Sequence, residues 1–516
     1  MESAQAKIQS QNGFLDSDDD EEDGMFDFQS EHDKKIGAQI LMLLTWMSLG
    51  LIYALPGPNL LAIACKVNST LEHIGLLFIS RGVGTLCGKL VSGFMIHHNK
   101  GYGIMSIALV ILPVMTAVFP LIKSLGGAAC VMIVIGVAYG LAAEGYNIMD
   151  YSNGLKKPGG FNKATFALSL GAAVAPLISS PFLGELKNIN SLNKTRSLAI
   201  SNDKEGLIVF PGFVCLEKSD FGKSFWISTI PCCLLIFQIC YVICSSSNRE
   251  IGSLSENSRG SRTISWKVYG LRFILFLVLL LYGGIYRIAE LVVFSYITLG
   301  PFDINTTKAC LLVMMLWVAF AFGHILQHIV LIKIERVERR LGIAFLKSCV
   351  CLIMSILLMK IDNTNGLTLS LFVYMFFASE LSPLVHDAVS SYAMTSEAMV
   401  KKLNLLADAF AEMLFPIASL ALMYHKGWHA LSFTIMVISV LQFLLCSFLA
   451  LYPFSENREI SSLQYENLAG SIEDGNGKKI RKEIRKLLGG YTDQEVSYVT
   501  SDEEVVFDLR GRSKVK

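Results

Sequence analysis

Twelve long, mostly apolar stretches separated by short polar gaps decide what this chain can become. A helix crossing about 30 Å of hydrocarbon needs about 20 such residues, and within lipid its backbone N–H and C=O groups must bond inside the segment. The stretches lie near 36–55, 72–96, 102–123, 126–149, 161–185, 223–245, 268–299, 307–332, 341–360, 366–390, 403–424 and 428–453. Of 516 residues, 53% are hydrophobic and 17% charged, against about 25% charged in a soluble domain. The expected fold class is all-α membrane, with about twelve transmembrane helices.

Two gaps are longer than the rest. Residues 186–222 are polar with several charges, and 246–267 are rich in Ser, Asn and Arg. The second divides the helices six and six, giving an N-terminal half over 36–245, a linker over 246–267 and a C-terminal half over 268–453. Two six-helix halves with a polar central linker are the pattern of major facilitator transporters, whose halves are structural repeats. The acidic residues 1–35 carry the run Asp16–Asp23 and too little apolar content to fold alone. They do not resemble a cleavable signal, so the first helix is expected to direct insertion.

Orientation follows from charge. Lys and Arg crowd the gaps at 156–163, 249–262, 333–340 and 401–402, whereas the opposite side, its long fifth-to-sixth loop aside, offers Lys66, Lys123, Lys308, Lys360 and Lys426. The excess places both termini in the cytosol. Three Asn-x-Ser/Thr sequons, at Asn68, Asn193 and Asn305, all fall in loops on the opposite side, where glycosylation occurs. Cys65 and Cys215 fall there too, and either a disulfide or two free thiols fits an oxidising compartment.

The net charge of +1 excludes a globally basic nucleic-acid binder. The sequence has no GxSxG elbow, P-loop, HExxH or dinucleotide loop, so an enzyme is not expected, nor is a cofactor or metal site. The tail 454–516 is polar, and within it Gly477–Gly490 places Ile480, Ile484, Leu487 and Leu488 on one face of a basic helix. Such a helix suits an anionic leaflet or plain solvent. Glu483 with Leu487–Leu488, and Tyr465 with Leu468, resemble sorting signals read by adaptors at the plasma or endolysosomal membrane.

Charged residues inside the apolar stretches carry the functional signal, because each costs about 3 kcal/mol at the bilayer centre unless paired or facing water. Arg287 and Glu290 stand one helical turn apart in the seventh stretch. Arg81 lies in the second, amid glycines that permit close helix approach, with Lys89 placed to snorkel toward the cytosolic end. Glu144, Asn147 and Asp150 form one stripe in the fourth. Glu380 and Asp387 flank Pro383 in the tenth, which suggests a broken helix. Asp408 and Glu412 share a face of the eleventh at i, i+4, where two carboxylates cannot both stay ionised cheaply without a cation. Each set has a structural reading beside the functional one, in which the charges simply neutralise each other.

Four stretches resemble a known family. Gly57–Gly75 is similar to the GPTLLDL stretch of sodium-dependent glucose-transporter-like major facilitator proteins. Arg81–Gly93 resembles their second helix, with Thr85 in place of Tyr. Leu168–Glu185 looks like the fifth-helix signature GFGALLSPLIADPFLSE, and Ala411–Met413 like Gly-Glu-Met. Glu144-x-x-Asn147 is distantly similar to the Glu-x-x-x-Asn of fucose–proton symporters. The resemblance implies the major facilitator fold, alternating access and a sugar-like solute moved with sodium or a proton. The family's Asp is Ala62 here, its fifth-helix polar residue is Thr165, and its seventh-helix pattern gives way to Tyr286, Arg287 and Glu290.

The resulting expectation is a carrier for a small polar solute, with Arg81, Glu144, Asn147, Arg287, Glu290, Glu380, Asp408 and Glu412 as pathway candidates. An organic-anion carrier is the alternative that Arg287 favours. A non-transporting adaptor or receptor is the other, favoured by a dry centre in which Arg287, Glu290 and Asp408 satisfy one another.

Overall fold

A computed structural model describes residues 39–96, 101–152, 163–183, 219–245, 266–300, 304–332, 337–379 and 397–473, with residues 37, 302, 334 and 384–385 and short strands elsewhere. The linker up to residue 265, Glu380, His386, Asp387, Asn193, Cys215 and the tail helix at 477–490 lie outside the described residues.

Every expected stretch holds a helix. They are α1 Gln39–Lys66, α2 Leu76–Ile96 after a short turn at Leu71–Ile74, α3 Gly101–Val118, α4 Leu125–Ser152, α5 Lys163–Ser179 and α6 Gly222–Ser245. The second half has α7 Trp266–Leu291, continued by a separate piece at Val293–Leu299, α8 Thr306–Ile332, α9 Val337–Leu358, α10 Thr364–Ala378, α11 Glu397–Lys426 and α12 His429–Glu473. Among the described residues nine helices are long and apolar enough to span a membrane, and two shorter apolar ones lie at Ser106–Leu121 and Thr364–Ala378. The chain is a multi-pass membrane protein.

Three boundaries differ from the hydropathy reading. α10 ends at Ala378, with Ser379 extended at φ −57°, ψ 142°, because Pro383 lies just ahead and a proline cannot continue a helix. The buried Lys347 of α9 donates to the Ser379 carbonyl at 2.5 Å and so caps that end. α12 runs past 453 to Glu473, so Tyr465–Leu468 is helical. The polar 186–222 gap, expected as loop, holds strands β1 Lys187–Asn188, β2 Ile208–Phe210 and β3 Phe213–Val214 in the antiparallel order β1-β3-β2. Residues 451–516 form a unit of their own, which includes a two-stranded pair, Val506–Phe507 with Ser513–Lys514.

Within the first half, α2 and α4 pack most closely. A Cβ on Gly84 or Gly88 would collide with the carbonyls of Ile133 or Val137, and one on Gly136 with the carbonyl of Arg81. Only glycines let the two backbones touch, which substitutes for the hydrophobic drive that lipid cannot supply. Gly136→Val is therefore expected to separate α2 from α4 and to lower the melting temperature of the detergent-purified protein markedly. An unchanged melt would mean that the seam is not a stabilising contact.

The halves meet along two seams, α2 against α11 and α5 against α8. At the end of the bundle where α1 finishes and α2 begins (the distal face) they also close end to end. The Val293–Leu299 piece packs on the distal part of α1, and a Cβ on Gly57 would run into the Glu290 carbonyl oxygen. Nearby, His425 at the end of α11 reaches Glu72 in the turn before α2, Nε2 to Oε2 3.2 Å.

Candidate functional site: a charge network between the halves

Most of the sequence-selected charges converge on one place. Arg81 of α2 donates through Nε to Glu412 Oε1 and through Nη1 to the Tyr53 carbonyl at 2.9 Å. Arg287 of α7 donates through Nη1 to Glu290 Oε2 at 2.7 Å and through Nη2 to Asp408 Oδ1 at 2.9 Å. Its Nη2 also stands 3.7 Å from Glu412 Oε2. Arg81 Nη2 lies 4.0 Å from Glu290 Oε2. Asp408 is shared with Lys89, Nζ to Oδ2 3.2 Å.

Helix spacing explains the convergence. Arg81, Thr85 and Lys89 recur every four residues on α2, and Asp408 and Glu412 do so on α11, so two facing stripes meet along the seam. Arg287 and Glu290, three apart on α7, complete it from the side. Arg81, Arg287, Glu290 and Glu412 are buried, while the Asp408 side chain keeps 28% exposure. Desolvating each ion costs several kcal/mol, and such a set persists only when every charge has partners of opposite sign.

Tyr53 of α1 is the hub that sequence reasoning missed. Its hydroxyl donates to Glu412, 2.8 Å to Oε1 and 2.7 Å to Oε2, and lies 2.9 Å from Thr85 Oγ1. Both guanidinium groups lie over its ring, Arg81 at 3.8 Å and Arg287 at 4.8 Å from the centroid, where a cation gains from the π-face. Tyr139 of α4 stacks on the same ring at 3.9 Å. One polar aromatic in an apolar helix carries no signal of which way it points. Lys89, read as snorkelling, is buried and paired instead, because α11 places a carboxylate within reach.

Other candidates stand apart. Glu144 is half-buried on α4 and joins no ion pair with the described residues. Asn147 lies on the same helix with its side chain outside the described residues. Asn68 is exposed at φ +52°, and Asn305 is exposed with its Oδ1 accepting from the Lys308 N–H at 2.9 Å. Cys65 is disulfide-bonded, and Cys215 follows directly on β3, whose neighbour β2 packs on the distal end of α1.

Solved structures share the fold that carries this network. The partially occluded, inward-open xylose transporter XylE from E. coli superposes with a TM-score of 0.56 over 81% of this chain and 99% of its own, at 14% identity. The nucleoside transporter NupG gives 0.55 over 80% and 99%, at 12% identity. The fold is that of the major facilitator superfamily. No family model matches the chain. Among curated relatives, the zebrafish major facilitator superfamily domain-containing protein 4A is 32% identical over 157 residues, 30% of this chain and 30% of that protein. Human sodium-dependent glucose transporter 1 is 26% identical over 145 residues, 28% of each. The chain thus matches less than a third of the length of these relatives. Their names are those of the major facilitator and sodium-dependent glucose-transporter-like proteins that the sequence resembles.

Proposed function

We propose that the protein is a carrier that moves a small polar solute by alternating access, coupled to a proton or sodium ion, with both termini cytosolic. One observation carries the reading: the buried network draws its members from both halves. Tyr53, Arg81 and Lys89 belong to the first and Arg287, Glu290, Asp408 and Glu412 to the second. If the halves rock about a central site, these bonds must break and re-form, so the network acts as a latch. Asp408, whose side chain keeps some exposure, lies toward the opposite face, while the distal side is packed shut at Gly57. That combination suits a site opening to the cytosol.

The mutual pairing of Arg287, Glu290 and Asp408 also suits a non-transporting adaptor, whereas the division of the network between the halves favours a carrier whose halves rock. In the same reading Cys65 pairs with Cys215 to pin the sheet over α1, and Asn68, Asn193 and Asn305 are glycan acceptors on the distal side. The tail would bind lipid or sorting adaptors at the plasma or endolysosomal membrane.

The test is an uptake screen in proteoliposomes across sugars and organic anions, with sodium and pH varied. Arg287→Ala and Glu412→Gln are each expected to cut uptake about tenfold or more, equivalent to about 1.4 kcal/mol of lost interaction. Uptake that neither change touches would overturn the assignment of the site. A folded wild-type protein that moves nothing would favour the adaptor.

A further inference from the structure

This inference rests on the carrier reading and names the class of solute. The network sums to zero charge, with Lys89, Arg81 and Arg287 set against Glu290, Asp408 and Glu412. Its bonding is uneven. Asp408 is engaged through both oxygens, by Arg287 and by Lys89, and Glu412 through both, by Tyr53 and Arg81. Among the described residues Glu290 is held through Oε2 alone. On the donor side, Arg81 Nη2 and Arg287 Nε are fully buried and have no hydrogen-bond partner among the described residues. Both arginines share the Tyr53 ring and the Glu290 carboxylate.

A buried guanidinium N–H without an acceptor is unfavourable, and a carboxylate suits two such donors on neighbouring arginines better than a neutral hydroxyl does, by charge and by having two acceptor oxygens. Glu290 is also the carboxylate that gives up the least bonding on protonation. We propose that the solute is a small organic monoanion carrying a carboxylate, moved together with one proton that Glu290 takes at Oε1. The proton neutralises Glu290 and leaves three cations facing two anions. The solute carboxylate then bonds Arg81 Nη2 and Arg287 Nε and restores zero. No covalent bond of the solute changes, and release of solute and proton reverses the sequence. The groups facing Glu290 are Arg81 from α2, Arg287 and Tyr286 from α7, Glu412 from α11, and Tyr139 from α4. Asp408 has the most exposed side chain of the set, and the proposal brings proton and anion in from its side.

The full-length protein in liposomes, given radiolabelled lactate and, separately, D-glucose, tests this under a potential clamped with potassium and valinomycin. Lactate is expected to accumulate about tenfold per pH unit of gradient, equally at all clamped potentials, without sodium and with one proton taken up per anion. Glu290→Gln is expected to bind lactate, read as a thermal shift of the purified protein, yet to lose the response to the pH gradient. Arg287→Lys keeps the charge but not the fork and is expected to weaken lactate binding at least several-fold. Glucose uptake without lactate uptake would overturn the inference and leave the carrier reading standing. So would lactate uptake that needs sodium or carries current, or a Glu290→Gln protein that still follows the gradient. If neither solute moves in liposomes holding folded protein, this inference fails, and the carrier reading is decided by the wider uptake screen.

Discussion

Replacing Glu412 with alanine is expected to cost about 3–5 kcal/mol of stability, the usual penalty for stranding one partner of a buried ion pair. Glu412 accepts from the Tyr53 hydroxyl and from Arg81, and stands 3.7 Å from Arg287, so its loss leaves two arginines over one ring with less negative charge beside them. Thermal melting of the purified protein measures the loss. The pair Arg81→Met with Glu412→Leu removes both charges and is expected to recover much of it, since well-packed apolar side chains often replace a buried ion pair without loss. The double variant should nonetheless fail to transport, because the latch is gone. A Glu412→Ala protein within about 0.5 kcal/mol of the parent, the range of an ordinary surface change, would show that the carboxylate is not what holds Arg81 in place.

Gly57→Leu is expected to abolish uptake while leaving the fold intact. The position faces the Glu290 backbone across the seam between halves, and any Cβ there collides with a carbonyl oxygen. The collision lies between α1 and α7, not within one half, so each half can keep its own packing while the distal closure is held ajar. Ser295, buried on the Val293–Leu299 piece, supplies the readout. A cysteine placed there by Ser295→Cys should react with a hydrophilic maleimide many times faster when Gly57 is leucine than when it is glycine. Equal labelling with full uptake would show that the contact at Gly57 does not seal the distal face.

Hydropathy alone located twelve helices, since a stretch long enough to cross a bilayer leaves its backbone little choice. It also located Arg287 with Glu290, and Asp408 with Glu412, because charges stand out against an apolar background and their spacing puts each pair on one face. The facing of the helices was not legible. Helices apolar on nearly every side have no polar stripe to mark what points inward, so Tyr53 passed unnoticed and Lys89 was assigned to the membrane surface. The cross-pairing of Arg81 with Glu412 joins residues 331 apart in sequence, and no local pattern announces that. Glu144 shows the opposite failure, a conspicuous charge that the packing leaves outside the cluster.

The interruption of α7 at Val292 has a mechanical consequence. The helix stops at Leu291, directly after the Arg287–Glu290 pair, and resumes as Val293–Leu299, seven residues or about 10 Å of helix. A rod would transmit every tilt of its tip to the arginine. A joint two residues past the carboxylate uncouples the two, so the short distal plug can swing off α1 while the charged residues keep their bonds. Sealing and sensing then become successive events along one chain, and the order in which they occur is set by whichever gives way first.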